Sequence, residues 1–153
     1  MEIKRILKYT SEHYTLLLSA DPQISMVETY LQKSRGFQMT DGESLVGVVV
    51  LTPINSKRIE LKNIAINSKY QHRGLAQTLI KYVLHFARQS GFTEMVVGTG
   101  STSFEQLYLY QKMGFRCFEI RTNFFSDNYA KPIIENGLRL RDMILLRRVI
   151  DND

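Results

Sequence analysis

The chain of 153 residues lacks several things, and each absence narrows its function. It has one cysteine, Cys117, so no internal disulfide can form, and a reducing compartment is expected. Its three histidines, His13, His72 and His85, lack metal-ligand spacing and lie far from that cysteine in sequence, which argues against a metal site. No apolar run is long enough for a signal peptide or a membrane span, including Met1 to Leu7. The expected setting is therefore cytoplasmic, with no membrane partner. Like charges do not run together beyond Arg147-Arg148, and aromatics do not alternate with basic residues along a strand. A net charge of +5 favours anionic partners, but without a base-stacking platform nucleic acid is not the expected one. There is no internal repeat, low-complexity tract or linker, so residues 1–153 are expected to form a single domain. A chain of this size buries about 70% of its unfolded surface and needs no cross-links.

What is present is a regular alternation of strand and helix signals. Glu2–Leu7 reads as a strand. Apolar residues at helical spacing predict helices over Ser11–Ala20 and Pro22–Lys33, with Asp21 as N-cap and Pro22 at the first helical position. Phe37–Thr40, Leu45–Leu51 and Arg58–Asn67 read as an antiparallel meander, its first turn marked by Asp41-Gly42. A helix follows over Leu75–Ser90, ended by Gly91; then a strand at Glu94–Val97, a helix over Ser103–Met113 ended by Gly114, and a strand over Phe115–Phe124. Phe125–Arg141 looks irregular, with Pro132 and Gly137 as breakers, and Met143–Ile150 closes the pattern as a strand. The order implies a mixed α/β fold with helices packed on one continuous sheet. Cys117, on a strand after a Gly-Phe pair, reads as a buried structural thiol.

The segment from Glu60 to Ser90 organises the rest. A strand ending Ile64-Ala65-Ile66 leads into Gln71-His72-Arg73-Gly74-Leu75-Ala76 and then into the long helix. A helix N-terminus presents unpaired N–H groups and a partial positive charge, and a glycine lets the backbone approach a phosphate closely. The loop lacks both the lysine of a GxxxxGK[ST] site and the three glycines of a GxGxxG site. It matches Q/R-x-x-G-x-G/A instead.

Together with Leu107-Tyr108-Leu109-Tyr110-Gln111-Lys112-Met113-Gly114-Phe115, these features resemble the GNAT superfamily of acetyl-CoA-dependent N-acetyltransferases. The resemblance covers Leu45 to Phe115, and the element order extends it to both ends. It implies a mostly antiparallel central sheet of about seven strands with about four helices. It implies acetyl-CoA as cosubstrate and a small-molecule or peptide amine as acceptor. Backbone N–H groups from His72 to Ala76 would hold the pyrophosphate, with the side chains of Gln71, His72 and Arg73 beside them and Leu75 opening the helix. Ile64, Ala65 and Ile66, splayed from the strand at Met95–Val97, would receive the pantetheine arm, and an N–H near Ile66 would polarise the thioester carbonyl.

Tyr110 falls where the family holds its general acid, Glu60 where some members hold a general base, and Ser103 where many carry a cofactor-contacting asparagine. The aromatic stretch Phe124–Tyr129 would line the acceptor pocket or form a dimer contact. Asp127, Glu135 and Asp142 are candidate partners for a cationic amine. The alternative to an enzyme is a catalytically weak CoA-binding module that acts as a sensor or partner.

Overall fold

The valine-rich run of the meander lies at the middle of the sheet, because only a strand covered on both faces can bury so many β-branched residues in succession. A computed structural model describes residues 1–150; positions 151–153 of the expected domain lie outside it. The elements in chain order are β1 (Glu2–Arg5), α1 (Ser11–Ala20), α2 (Ile24–Leu31), β2 (Arg35–Asp41), β3 (Ser44–Pro53) and β4 (Arg58–Ile66). Then come a 3₁₀ turn (Ser68–Tyr70), α3 (Leu75–Gln89), β5 (Glu94–Gly100), α4 (Phe104–Lys112) and β6 (Arg116–Arg121). The chain continues with α5 (Phe124–Asn128), β7 (Ile133–Glu135), β8 (Leu138–Leu140) and β9 (Met143–Val149).

Seven strands form one sheet in the order β1-β2-β3-β4-β5-β9-β6, with β7 and β8 in a separate two-stranded hairpin. Every neighbouring pair of the large sheet is antiparallel except β4 and β5. Two helical layers cover it. On one face, α1 and α2 bury Leu17, Val27 and Tyr30 against Val48 and Val50. On the other, α3 and α4 bury Leu79, Ile80, Val83 and Tyr110 against Val49, Leu61 and Val97.

Several expectations are corrected. Pro22 does not start α2, which begins at Ile24 with Gln23 at its N-cap. Asp21 instead ends α1, which frees its carboxylate for other partners. The strand expected over Phe115–Phe124 stops at Arg121, and Phe124 opens a fifth, short helix. The irregular region contains the β7–β8 hairpin, turned by Asn136 and Gly137 at φ 53° and 76°. Cys117 is exposed. It lies on β6, an edge strand whose six residues are all exposed.

Candidate active site

The site is created by a fault in the sheet. β4 and β5 pair only from Arg58–Glu94 to Leu61–Val97. Beyond that register both strands continue, β4 to Ile66 and β5 to Gly100, without pairing to each other. On its other side β4 has a bulge at the same place: Val50 faces Asn63 and Leu51 faces Leu61, leaving Lys62 with no opposite residue. An extra residue inverts the alternation of side chains and bends the strand. Ile59 and Leu61 accordingly join the core under α3, while Ala65 joins the core under α1 and Ile64 returns to the α3 side. Asn63 turns toward α1 and α2, donating from Nδ2 to the Leu17 carbonyl (3.0 Å) and the Tyr30 hydroxyl (2.9 Å). The bulge thus turns β4 away from β5 and leaves a backbone edge free for a ligand.

Two cavities open at the split. The first, of about 610 Å³, is lined by Ile64, Ala65 and Ile66 on β4, by Gln71, His72, Gly74, Leu75 and Ala76 after it, and by Phe104 and Tyr108 on α4. Gly74 is the N-cap of α3 at φ 76°, and His72 is also left-handed at φ 62°. A non-glycine residue in that region costs of order 1–3 kcal/mol and persists only where the surroundings enforce it. These turns gather the N–H groups that open α3, which has no side-chain cap and no acidic residue in its first turn. The positive end of the helix dipole is therefore left for an anion. Gln71 donates from its amide to the Ile66 carbonyl (3.1 Å), tying the loop to the strand end. Arg73 is not in the lining; its guanidinium lies 5.4 Å from the Tyr70 ring centroid and donates to the Lys69 carbonyl (3.4 Å).

The second cavity, of about 400 Å³, shares Ser19, Ala20, Ile64 and Gln106 with the first, so the two meet at the split strand. Its walls include Glu60, Lys62, Tyr110 and Ser103, and also Phe124, Phe125, Tyr129, Glu135 and Asp21. Tyr110 and Glu60 are thus brought to one chamber. Ser103 also faces this chamber rather than the first, and its hydroxyl donates to both Glu135 oxygens (2.9 and 3.1 Å). Glu60 is 3.5 Å from Lys62 through Oε2. Of the other two candidate acids, Asp142 accepts the Asn123 N–H through Oδ1 (2.8 Å), and Asp127 is not part of the wall.

The Gly-Phe pair explains how Tyr110 is aimed. α4 ends in a left-handed Gly114 at φ 92°, and the Phe115 N–H reaches back to the Tyr110 carbonyl (3.0 Å). This is the closure that satisfies the last carbonyls of a helix. The Phe115 ring packs edge-on against Tyr110 at 5.9 Å. Tyr110 is 4% exposed, and among the described residues its hydroxyl has no hydrogen-bond partner.

Burial pushes the Tyr110 phenol well above its ordinary value of 10.0, so it stays protonated and able to donate across the neutral range. Tyr30 and Tyr129 are raised too, mainly by burial and, for Tyr129, secondly by the Asp21 charge. The unfolded tyrosines ionise near 10.0 while the folded ones keep their protons. Stability from this source is therefore complete below pH 10 and is lost above it, by about 1.4 kcal/mol per pH unit for Tyr110 alone. Urea unfolding midpoints at about pH 9 and about pH 11 are expected to differ accordingly. A flat profile would show that these phenols are not shielded.

Sequence reasoning missed Asp21 and Asn63 as wall residues, whereas Phe124, Phe125 and Tyr129 lie in the stretch expected there. Tyr129 donates its hydroxyl to Asp21 Oδ1 (2.8 Å), and Gln23 bonds the Asn128 carbonyl (3.3 Å) and the Ala130 N–H (3.1 Å). These bonds close the α1–α2 turn against the segment after α5. A signal for the hairpin that brings Glu135 into the wall was present in Asn136-Gly137, a dipeptide suited to two-residue turns with positive φ. Nothing local in the sequence announces the Asp21–Tyr129 pair, whose members are 108 positions apart.

Comparison with known proteins fits this geometry. The model of the acetyltransferase (GNAT) family matches residues 5–115. The Bacillus subtilis (strain 168) protein named uncharacterized N-acetyltransferase YvbK is 38% identical over 88% of this chain and 87% of its own length. The crystal structure of a GNAT family acetyltransferase from Elizabethkingia anophelis with acetyl-CoA bound superposes with a TM-score of 0.93 at 40% identity, over 97% of each chain. That of a Bacillus subtilis acetyltransferase in complex with CoA gives 0.91 at 35% identity, over 96% of this chain and 97% of that one. The matched segment holds the split strand, the loop and the α4 ending, and stops before the Phe124–Leu140 wall. This chain belongs to the GNAT family of acetyltransferases and is, by that membership, an N-acetyltransferase.

Proposed function

We propose that the chain, acting as a single domain, transfers the acetyl group of acetyl-CoA to a primary amine by direct attack in a ternary complex. The observation that carries this reading is the junction of the two cavities at the β4–β5 split, with Tyr110 and Glu60 in the chamber beyond it. The first cavity suits coenzyme A chemically. The uncapped N–H groups of α3 match a pyrophosphate, and the unpaired edge of β4 matches the peptide-like amides of the pantetheine arm. The bound thioester supplies an acyl carbon open to attack.

The residues then divide the work. Glu60, directly or through a water, takes the proton that the attacking nitrogen must lose. A β4 N–H near Ile66 stabilises the charge that develops on the carbonyl oxygen. The carbon–sulfur bond breaks as the amide forms, and Tyr110 gives its proton to the departing sulfur; proton exchange with Glu60 through solvent restores both groups.

The test is release of free thiol from acetyl-CoA against a panel of primary amines. Release that requires the amine is expected, and Glu60→Gln should lower kcat/KM by about 10²-fold. A protein that binds acetyl-CoA yet releases thiol with no amine of the panel would be the sensor-like module instead.

A further inference from the structure

We propose that the acceptor carries a second positive charge, so that this enzyme acts on di- or polyamines and turns away amino acids; this rests on the acetyltransferase reading above. The chain as a whole has a net charge of +5, yet its acceptor chamber is acidic. The walls carry the carboxylates of Asp21, Glu60 and Glu135 against the single ammonium of Lys62. That ammonium is committed: it lies 3.5 Å from Glu60 Oε2 and 5.6 Å from the Tyr30 ring centroid. Its charge is already shared among Glu60, Asp21 and the Tyr30 ring, which leaves less of it for a substrate carboxylate.

The three carboxylates are not equivalent. Glu135 directs both oxygens at the Ser103 hydroxyl. Glu60 is partnered by Lys62 and lines the same chamber as Tyr110. Asp21 accepts the Tyr129 hydroxyl (2.8 Å) and the Gln23 N–H (3.4 Å) through Oδ1 alone. Its Oδ2 takes no hydrogen bond among the described residues. The bond from Tyr129 holds that free oxygen in place, and the aromatic rings of Phe124, Phe125 and Tyr129 line the same chamber. Aromatic faces and a positioned carboxylate both favour an ammonium over a neutral or anionic group.

Tyr110 lines the same chamber and is 4% exposed, and its hydroxyl has no hydrogen-bond partner among the described residues, which leaves it available to the reacting group. Tyr110 and Asp21 both line this chamber, the first for the leaving sulfur and the second for a cation. A diamine offers one nitrogen to the thioester and a second to Asp21. One nitrogen is acetylated, and the other stays charged and is held by Asp21 Oδ2.

The experiment uses the full chain, acetyl-CoA and three acceptors matched in length, at four to eight carbons. These are the alkylamine, the α,ω-diamine and the ω-amino acid, which differ only at the end away from the reacting nitrogen. The diamine is expected to exceed the alkylamine in kcat/KM by at least about tenfold, chiefly through KM, with the amino acid slowest. Asp21→Asn keeps the shape and can still accept the Tyr129 hydroxyl, and it should shrink the diamine-to-alkylamine ratio to within about threefold. Equal rates for the three acceptors, or a preference for the amino acid, would overturn the proposal while leaving the acetyltransferase reading intact. An undiminished ratio in Asp21→Asn would remove Asp21 as the anchor. Failure of every amine to release thiol would instead overturn the reading on which the proposal rests.

Discussion

Gly74→Asp is expected to abolish acetyl-CoA binding, raising the dissociation constant at least 10²-fold, while the protein stays folded. Gly74 is at φ 76°, and a Cβ built there meets nothing within 4 Å, so the substitution adds no clash. Its conformational cost is of order 1–2 kcal/mol, and aspartate is among the residues that best tolerate the left-handed region. A carboxylate at a helix N-terminus is itself favourable to the helix, which offsets part of that cost. The same carboxylate competes for the N–H groups that would hold the pyrophosphate and repels its charge. Titration calorimetry reads the binding, and a thermal melt reads the fold. Gly74→Ala separates the two effects, since it carries the strain without the charge and should bind within about tenfold of the parent. Unchanged affinity in Gly74→Asp would mean that the cofactor does not use the start of α3.

Tyr110→Phe is expected to lower kcat by about 10²-fold or more, with the KM for acetyl-CoA little changed. The substitution removes one oxygen. That oxygen has no protein partner among the described residues, so no hydrogen bond is lost. The ring keeps its edge-on contact with Phe115, and the backbone closure from Phe115 to the Tyr110 carbonyl is untouched. The melting temperature should therefore hold, because no hydrogen bond within the described residues is lost. A loss in turnover at preserved stability and preserved cofactor affinity is the signature of a proton donor to the leaving thiolate. Turnover within about threefold of the parent would show that the thiolate leaves unaided.

These two residues show how much of the site is written locally. Gly74 is legible because a strand, one glycine and a helix start in succession make an anion site through backbone geometry alone. Tyr110 stood out through the family resemblance of the helix ending before Gly114-Phe115, and that ending closes on the Tyr110 carbonyl. The meander and α3 were equally readable, since periods of two and of 3.6 residues report burial directly. Asp21 was misread for a local reason. Asp followed by Pro is a common helix start, but α2 begins at Ile24, and the carboxylate is held from the far end of the chain by Tyr129. Cys117 was misread because a strand's neighbours, and hence its exposure, depend on its place in the sheet.

The mixed α/β elements and the candidate anion loop were readable from nearest-neighbour chemistry, because periodicity, helix ends and turn residues act over a few positions, while the proposed proton donor came from the family resemblance. The chamber was not readable in this way. It depends on a bulge at Lys62 that turns β4 from β5, on a hairpin that brings Glu135 to Ser103, and on Tyr129 reaching Asp21. Each of these joins segments distant in sequence, so no window along the chain contains both halves. The proposed cofactor loop is therefore local, whereas the chamber proposed for the amine arises from long-range packing.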